Sequence, residues 1–300
     1  MTLKFFIGVV SFSLSLFAIV LNLLIFIPVF RLAFISKKST IYIIAFFNII
    51  SDLMQLCVTC FQLSASIMAD RYILSRDRLD FMNIFLGGVF LNAWYLESLV
   101  QIVMAVNRYV VITLGKKNIF TFKTTIIIFV FLISITTFSA ICSQFLFPCC
   151  LYIADHEAMS YVLVNIKGLY SYSNLMIVLY DIFCTTISSL CYISIFHTIR
   201  QKAKVAPANV QSTRSNQDIK YLFQFVFISI FYIFASISFE CLSFIVPASQ
   251  PEWYALVPMF ITLNCSSNSI IYLTVNPEVQ NILKCPWIKW KKRNVSVGTI

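Results

Sequence analysis

Seven apolar segments, each long enough to cross a lipid bilayer, constrain this chain more than any other feature. A membrane-spanning helix needs about 20 mostly apolar residues, and only helices and closed barrels satisfy their own backbone in lipid. Unbroken apolar runs exclude the alternating strands of a barrel. Of the 300 residues, 60% are hydrophobic and only 11% are charged. The predicted spans are residues 5–30, 41–69, 81–106, 124–147, 169–197, 221–246 and 253–275.

The resulting prediction is an all-α integral membrane protein, a seven-transmembrane helix bundle with residues 1–300 in a single domain. No internal repeat and no Gly- or Pro-rich linker divides the chain. The first segment, 5–30, carries no charge and is longer than the apolar core of a signal peptide, which is about 7–15 residues. We therefore interpret it as an uncleaved membrane helix.

Lysine and arginine are distributed unequally between the two sides of these spans. The loops after the first, third and fifth spans, with the tail after the seventh, hold 17 of the 22 Lys and Arg residues. The positive-inside rule places that side in the cytoplasm, which predicts an N-terminus outside the cell and a C-terminus inside. The net charge of +10 is therefore a topology signal, and nucleic acid is not an expected partner.

The segment after the seventh span, 277–300, is predicted to be a short cytoplasmic tail with an amphipathic helix along the inner membrane face. Cys285 lies beside that face and is equally compatible with palmitoylation and with a free thiol. The apolar and interfacial residues behind this prediction are Val279, Ile282, Leu283, Trp287 and Trp290.

Cysteines fall into two groups. Those inside spans are interpreted as small apolar side chains, including Cys57 and Cys60, whose spacing without a nearby histidine does not favour a metal site. Cys149 and Cys150 lie in the second outer loop, where the compartment is oxidising, and a disulfide from one of them is one of two alternatives, the other being free thiols.

Four carboxylic acids lie inside the predicted spans, namely Asp52, Glu97, Asp181 and Glu240, and no Lys or Arg does. Each acid costs at least a few kcal/mol if charged and unpaired at the bilayer centre. They must therefore bond neutral groups, share protons or meet a ligand cation. A retinal Schiff base is excluded because no lysine is available to form it. The alternative for each is a protonated acid that only bonds a neighbouring helix.

Asp52 and Glu97 are predicted to form one intramembrane polar cluster. Asp52 lies 11 residues after Ile41 and Glu97 lies 11 residues before Arg108, so both are about 16 Å from the inner boundary at 1.5 Å per residue. Two adjacent carboxylates cannot both ionise cheaply, so the pair shares a proton or binds a cation such as sodium. The alternative is a static network that only fixes the bundle. Amides predicted to join the cluster are Asn22, Asn264 and Asn268.

A ligand pocket is predicted in the outer half of the bundle. Glu240 lies about 10 Å from the outer end of its span at helical rise, and Trp94, Tyr95, Tyr180 and Asp181 lie nearer the middle. Aromatic groups with a few polar ones are typical of small-ligand sites. The alternative is ordinary aromatic core packing.

Catalysis is not expected, because no catalytic constellation is present. The two histidines, His156 and His197, fall on opposite sides of the membrane and cannot form one metal or acid–base site, so neither an enzyme nor a metal site is predicted. The alternative from another functional class is a seven-span small-solute transporter. Such a protein should show repeat symmetry and discontinuous helices, which the sequence lacks.

Short motifs in their joint order resemble the rhodopsin-like G-protein-coupled receptor superfamily. Asn107-Arg108-Tyr109, at the inner end of the third span, resembles that superfamily's Asp/Glu-Arg-Tyr motif. Asn268-Ser-Ile-Ile-Tyr272, in the seventh span, resembles its Asn-Pro-x-x-Tyr motif with serine in place of proline. Single polar residues that also match are Asn22, Asp52 and Tyr192.

More narrowly, the chain is similar over nearly its whole length to nematode serpentine chemoreceptors of class x (Srx). The stretches that carry this resemblance are Ala105-Val-Asn-Arg-Tyr-Val-Val-Ile112, Pro148-Cys-Cys150, Asp181 and Asp218-Ile-Lys-Tyr-Leu-Phe-Gln224. The resemblance implies a chemosensory receptor in the plasma membrane that binds a small extracellular ligand and activates a heterotrimeric G protein. It implies a switch role for the inner motifs and a sodium-binding aspartate at Asp52.

The chain departs from the superfamily pattern in three places. Asn107 replaces the acid beside Arg108, so the usual salt bridge to that arginine cannot form. The sixth span lacks the Trp-x-Pro element, and no cysteine occurs between Phe61 and Ile141. The usual disulfide between the third helix and the second outer loop and the kink-based switch of the sixth helix are therefore both in question.

Overall fold

The computed structural model describes residues 3–116, 119–164, 166, 168–205, 230–242, 245–247 and 250–284. Several sequence predictions fall outside these residues. They concern positions 221–229 of the sixth span, the stretch 218–224, and Cys285, Trp287 and Trp290 of the tail.

Six described helices are long and apolar enough to cross a membrane, and a seventh apolar helix is shorter. In chain order we label them α1 to α7. They are α1 Leu3–Ile35, α2 Thr40–Ala69, α3 Phe81–Ile112, α4 Phe122–Leu146, α5 Tyr172–Val205, α6 Ile230–Leu242 and α7 Pro251–Val275. A short helix, α8, follows at 277–284.

Three helices, α1, α3 and α5, continue well past the ends of the predicted spans. The sequence prediction ended each span near the first polar or charged residue, whereas a helix continues while its backbone hydrogen bonds are made. As a result α3 continues to Ile112, six residues beyond the predicted end, and Arg108 lies within its last turns. Similarly, α1 continues through one π-helical turn, Arg31–Ile35.

The bundle is apolar outside and polar inside. Large apolar side chains lie exposed on the outer surface, including Ile27 at 70% and Ile127 at 68% exposure, while Asn22, Asp52 and Glu97 are fully buried. This arrangement would be costly in water and is natural in lipid, where only the interior can satisfy polar groups. The burial pattern therefore agrees with a membrane-spanning bundle.

A two-stranded hairpin between α4 and α5 packs into one end of the bundle. Its strands are β1, Tyr152–Asp155, and β2, Ser160–Leu163. They pair antiparallel, with Tyr152 opposite Leu163 and Asp155 opposite Ser160. β1 packs against α3, the helix that also contacts α2, α4 and α5. The sequence prediction placed a loop here and did not foresee a buried hairpin.

Backbone contacts seat this hairpin on α3 and α4. The Gln144 side chain accepts a hydrogen bond from Tyr152 N at 2.9 Å and donates to Tyr152 O at 2.8 Å. Asn83 of α3 donates to Ala154 O at 3.0 Å. A Cβ on Gly87 of α3 would lie 2.0 Å from Tyr152 O, so only glycine permits this approach. These contacts anchor the hairpin to the bundle.

The two cysteines that precede the hairpin are joined to each other. Cys149 and Cys150 form the disulfide in the structure, so neither links the loop to a helix. Both side chains are buried, with 4% and 2% exposure. Among the described residues, no disulfide joins the hairpin to a helix, and it is held by packing, hydrogen bonds and an ion pair.

Charged side chains tie the hairpin end of the bundle together. Lys4 of α1 forms an ion pair with Asp70, at the end of α2, and its Nζ lies 3.1 Å from His156 Nδ1. Arg78 pairs with the buried Asp155 at 2.8 Å. The hydrogen bond from Lys4 holds the pKa of the Asp70 carboxyl below its usual value, so this pair persists to lower pH than an isolated carboxylate would allow.

Replacing Gly87 with alanine should destabilise the protein strongly. The new methyl group would collide with the backbone oxygen of Tyr152, and overpacking of this kind typically costs about 1–3 kcal/mol or more. The measurement is the melting temperature of the purified protein in lipid nanodiscs, which should fall by several degrees.

Gly88→Ala is the matched control for this change, because its Cβ would meet the Gln144 side chain at 3.3 Å and no backbone atom within 4 Å. Its melting temperature should stay close to that of the unmodified protein. Equal melting temperatures for the two variants would mean that the hairpin does not lie against Gly87.

Candidate functional site

Two buried acids meet at the centre of the bundle. One carboxylate oxygen each of Asp52 on α2 and Glu97 on α3, together with Cys265 Sγ on α7, lie within 4.8 Å of one another. All three residues are fully buried. The structure thus brings together the two acids that helical rise places at one depth. Cys265 was interpreted from sequence only as a small apolar residue.

Amide groups surround the Asp52 side. Asn48 Nδ2 and Asn268 Nδ2 both donate to Asp52 Oδ2, at 2.9 Å and 3.2 Å. Asn268 was predicted for this cluster and Asn48 was not. Asn48 precedes Asp52 by four residues and so shares its helix face, a spacing that could have identified it.

Three amides donate to the Glu97 carboxylate. Gln55 Nε2 donates to Oε2 at 2.6 Å, Asn264 Nδ2 donates to Oε1 at 2.5 Å, and Gln101 Nε2 lies 3.5 Å from Oε1. Asn264 belonged to the predicted cluster. Gln55 and Gln101 did not, although Gln55 follows Asp52 by three residues and Gln101 follows Glu97 by four.

Asn22 lies at the edge of this cluster. Its Nδ2 donates to Ala18 O at 3.0 Å and to Cys265 O at 3.1 Å, so it joins α1 to α7 through a backbone carbonyl. Its donor group does not reach either acid. Counting residues from the membrane boundary predicted the depth of Asn22 but not the direction of its side chain.

Several acceptor oxygens in the cluster lack donors. Asp52 Oδ1, Asn48 Oδ1 and Asn264 Oδ1 are buried and have no hydrogen-bond partner among the described residues. Buried acceptors of this kind usually have a partner. A proton on one carboxyl or a bound cation would satisfy them, and a set of carboxylate and amide oxygens suits a hard cation such as sodium. The residues present therefore fit either occupant.

The motif residues at the other end of α3 lie near the ends of α5 and α7. Asn107 is buried, and its Nδ2 finds no acceptor among the described residues. Tyr192 of α5 and Tyr272 of α7 belong to the same buried apolar cluster as Val100 and Met104 of α3. Arg108 and Tyr109 follow Asn107 in the same helix.

An ion pair fixes α8 beside these motifs. Lys38 Nζ lies 2.7 Å from Glu278 Oε1, and Tyr42 OH donates to Glu278 Oε2 at 2.6 Å. Partial burial raises the pKa of the Glu278 carboxyl, but the hydrogen bonds from Lys38 and Tyr42 outweigh it and leave that pKa below its usual value. Glu278 thus stays charged and connects α8 to the α1–α2 loop, a contact that the sequence reading missed.

A narrow cavity lies between α3, α5, α6 and α7, next to the hairpin. Its free volume is about 10 Å³, which is room for about one water molecule. Asp181 supplies its one carboxyl group, and Trp94 Nε1 and Tyr232 OH donate to Asp181 Oδ1 at 3.1 Å and 2.5 Å. The lining residues are Phe90, Leu91, Trp94, Tyr152, Ile177, Asp181, Ala235, Phe239 and Ile261.

Not all predicted pocket residues reach this cavity. Trp94 and Asp181 line it, whereas Tyr95 and Tyr180 stack on each other with ring centroids 4.3 Å apart. Tyr95 OH lies 3.1 Å from Ser143 Oγ and Tyr180 OH lies 2.9 Å from Ser139 Oγ, both at α4. They therefore pack between α3, α5 and α4. Glu240, on α6, is also outside the lining.

Comparison with known proteins assigns the family. The family model for the serpentine type 7TM GPCR chemoreceptor Srx matches residues 12–276. The chain belongs to the Srx family. It is therefore a G-protein-coupled chemoreceptor, and the family and fold predicted from sequence are confirmed. The transporter alternative is set aside because the members of this family are receptors.

The fold of this chain is similar to that of a solved rhodopsin. The crystal structure of squid rhodopsin matches with a TM-score of 0.69 and 15% sequence identity, over 94% of this chain and 87% of that one. At this identity the likeness shows the seven-helix fold alone. A comparison with curated proteins gives no match.

Proposed function

We propose that this Srx receptor binds a small extracellular ligand beside the hairpin, where the narrow cavity at Trp94 and Asp181 widens to admit it, and transmits binding through α3 to a heterotrimeric G protein at Arg108. The observation that carries the proposal is a column of buried polar side chains on α3. From the cavity inward, Trp94 bonds Asp181, Ser98 Oγ lies 2.5 Å from Tyr232 OH, and Glu97 binds the amides around Asp52.

The polar column gives a physical route from ligand to G protein. Tyr232 of α6 bonds both Asp181 of α5 and Ser98 of α3. A ligand that hydrogen-bonds Asp181 would therefore alter how α6 packs on α3. A ligand shifts a packing equilibrium only by its differential affinity for the two arrangements. The shared bonds at Tyr232 provide that difference.

The hairpin offers a second contact with the same column. Tyr152 lines the cavity, and its strand partner carries Tyr161, whose OH lies 2.8 Å from Thr59 Oγ1. Thr59 donates to Gln55 O at 2.9 Å, and the Gln55 side chain bonds Glu97. Movement of the hairpin would therefore change the hydrogen bonds of the Asp52–Glu97 cluster. We propose that this cluster stabilises the inactive packing of the helices with a shared proton or a sodium ion.

Orientation in the plasma membrane follows from the basic residues, with the hairpin end outside and Arg108 in the cytoplasm. An epitope appended after Ile300 should be reached by antibody only after the cells are permeabilised, because 17 of the 22 Lys and Arg residues lie on that side. Insertion of the same epitope into the loop at Ser75 serves as the control and should be stained on intact cells. The reversed pattern would overturn the orientation.

Expression in a reporter cell tests the receptor proposal. Because Asn107 cannot hold Arg108 ionically, we expect G-protein-linked signalling above that of untransfected cells even without ligand. Surface staining normalises the signal for receptor number. Absence of any response, at normal surface level and with G proteins of every subtype supplied, would contradict the proposed coupling.

A further inference from the structure

We propose that a cavity between the α1–α2 loop and the beginning of α4 binds the headgroup of an anionic phospholipid that carries a phosphomonoester, as phosphoinositides do. Its free volume is about 280 Å³, close to the lower end of small-molecule sites, which span about 300–1,000 Å³. It lies at the Arg108 end of the bundle, which the proposed orientation places at the inner leaflet. The lining residues are Ala33, Lys37, Lys38, Ser39, Thr40, Ile43, Phe120 and Phe122.

One side of this cavity is basic. Lys37 is exposed, and its Nζ lies 5.1 Å from the centroid of the Phe122 ring, which also lines the cavity. Among the residues that the structure describes, no acid forms an ion pair with Lys37, whereas Lys38 pairs with Glu278. An ammonium group has three N–H donors, so Lys38 can bind a second anion. None of the lining residues is acidic, so the cavity favours an anion.

Two hydroxyl groups follow the lysines in the chain. Ser39 Oγ accepts a hydrogen bond from Ile41 N at 3.5 Å, which leaves its hydroxyl hydrogen available to donate. Thr40 adds a second hydroxyl to the lining. A phosphomonoester has three strong acceptor oxygens and a charge of about −1.5 to −2 at neutral pH. Two ammonium groups and two hydroxyl groups can therefore satisfy all of its oxygens, and a phosphodiester would use fewer of these donors.

The other side of the cavity is apolar and continues to the lipid-facing surface. The ring of Phe122 lies edge-on to that of Phe34, with centroids 6.2 Å apart, and Phe34 lies 5.2 Å from Phe30. Phe30 is 41% exposed and lies one helical turn nearer the membrane centre than Phe34. An acyl chain can thus lie against Phe30 while the headgroup occupies the cavity. Basic pockets between helices at the cytoplasmic side are typical binding sites for phosphoinositide headgroups.

Native mass spectrometry of the purified receptor in detergent micelles tests this ligand class. The probes are a short-chain phosphatidylinositol monophosphate, a short-chain phosphatidylinositol, and inositol bisphosphate as the free headgroup. The affinity for the monophosphate lipid should exceed that for phosphatidylinositol by at least about fivefold, because only the former adds charge-assisted hydrogen bonds to a phosphomonoester. The free headgroup should bind at least about tenfold more weakly than the lipid, because it lacks the apolar chain.

Three variants locate this preference, defined as the ratio of the affinities for the monophosphate lipid and phosphatidylinositol. Lys37→Gln should reduce the preference to within about twofold, because the unpaired ammonium is gone. Lys37→Arg retains the charge and should keep most of the preference. Lys116→Gln is the matched control, since Lys116 is an exposed basic residue at the same end of the bundle but outside the lining, and it should leave the preference unchanged.

Three results would overturn the proposal. Equal affinities for the two lipids would show that the phosphomonoester is not recognised. Binding of the free headgroup as tightly as the lipid would indicate a site for soluble phosphates. An equal loss of preference in Lys37→Gln and Lys116→Gln would mean that only the net basic charge of this end attracts the lipid. Neither an extracellular ligand nor a G protein enters the assay, so its outcome is independent of the receptor proposal.

Discussion

Replacing Arg108 with alanine should abolish G-protein signalling while the receptor still reaches the cell surface. Arg108 lies in the last turns of α3, which ends at Ile112, and a guanidinium at the membrane boundary can extend to water at little cost. The loss should be at least about tenfold, which corresponds to 1.4 kcal/mol of coupling free energy. The measurement is basal reporter output, normalised to surface staining.

Lys123→Ala is the control, because it also removes a basic residue near a helix end, here an exposed one in the first turn of α4. It should leave signalling near the unmodified level. A further variant, Asn107→Asp, supplies the acid that is absent beside Arg108 and should lower ligand-independent output. If Arg108→Ala signals as well as Lys123→Ala, the arginine is only a positive-inside anchor.

Substitution of the two central acids should change basal signalling non-additively. Asp52 and Glu97 approach each other within 4.8 Å, and neutralising one relieves the other, whether they share a proton or bind one cation. Asp52→Asn and Glu97→Gln should therefore each alter basal output. The double variant should differ from the sum of the single effects by about 0.5–3 kcal/mol.

Ser51→Ala is the control for the acid pair, because Ser51 is buried beside Asp52 on α2. Among the described residues, its hydroxyl bonds only within its own helix, to Asn48 O at 2.9 Å. Its effect should add simply to that of Glu97→Gln. Strict additivity of the two acid substitutions, with no dependence of basal output on sodium or pH in any variant, would mean that Asp52 and Glu97 do not act together.

The sequence was sufficient for features that depend on position along a helix axis. Helical rise is nearly constant, so counting residues from the membrane boundary placed Asp52 and Glu97 at one depth, where the structure brings them together. The same count placed Asn264 and Asn268 beside them. Apolar segment length likewise located the six spans that the structure describes as membrane-length helices, apart from some of their ends.

The sequence did not predict the direction in which a side chain points around its helix axis. Tyr95 and Trp94 are neighbours in α3, yet Trp94 faces the cavity while Tyr95 faces α4 and stacks on Tyr180. Asn22 has the right depth and turns toward Cys265 O instead of an acid. The depth of a residue along its helix does not say which neighbouring helix its side chain faces.

The buried hairpin was the largest omission, since its contacts join residues far apart in the chain. The Gln144 side chain donates a hydrogen bond to the carbonyl oxygen of Tyr152, and Gly87 leaves room for that oxygen. A lone glycine or glutamine in an apolar segment carries no sequence signal for such a partner. The lack of a cysteine in α3 did show that the loop must be held differently, and these contacts are how it is held.

The most direct test of the central claim is nucleotide exchange with purified components. The receptor in lipid nanodiscs is mixed with heterotrimeric G proteins of each subtype, and uptake of a labelled GTP analogue is followed with the receptor, with its Arg108→Ala variant and with empty nanodiscs. A receptor that transmits through α3 should accelerate uptake by at least one subtype, and the Arg108→Ala variant should match empty nanodiscs. Uptake at the empty-nanodisc rate with the unmodified receptor for every subtype, or equal acceleration by the Arg108→Ala variant, would contradict the account.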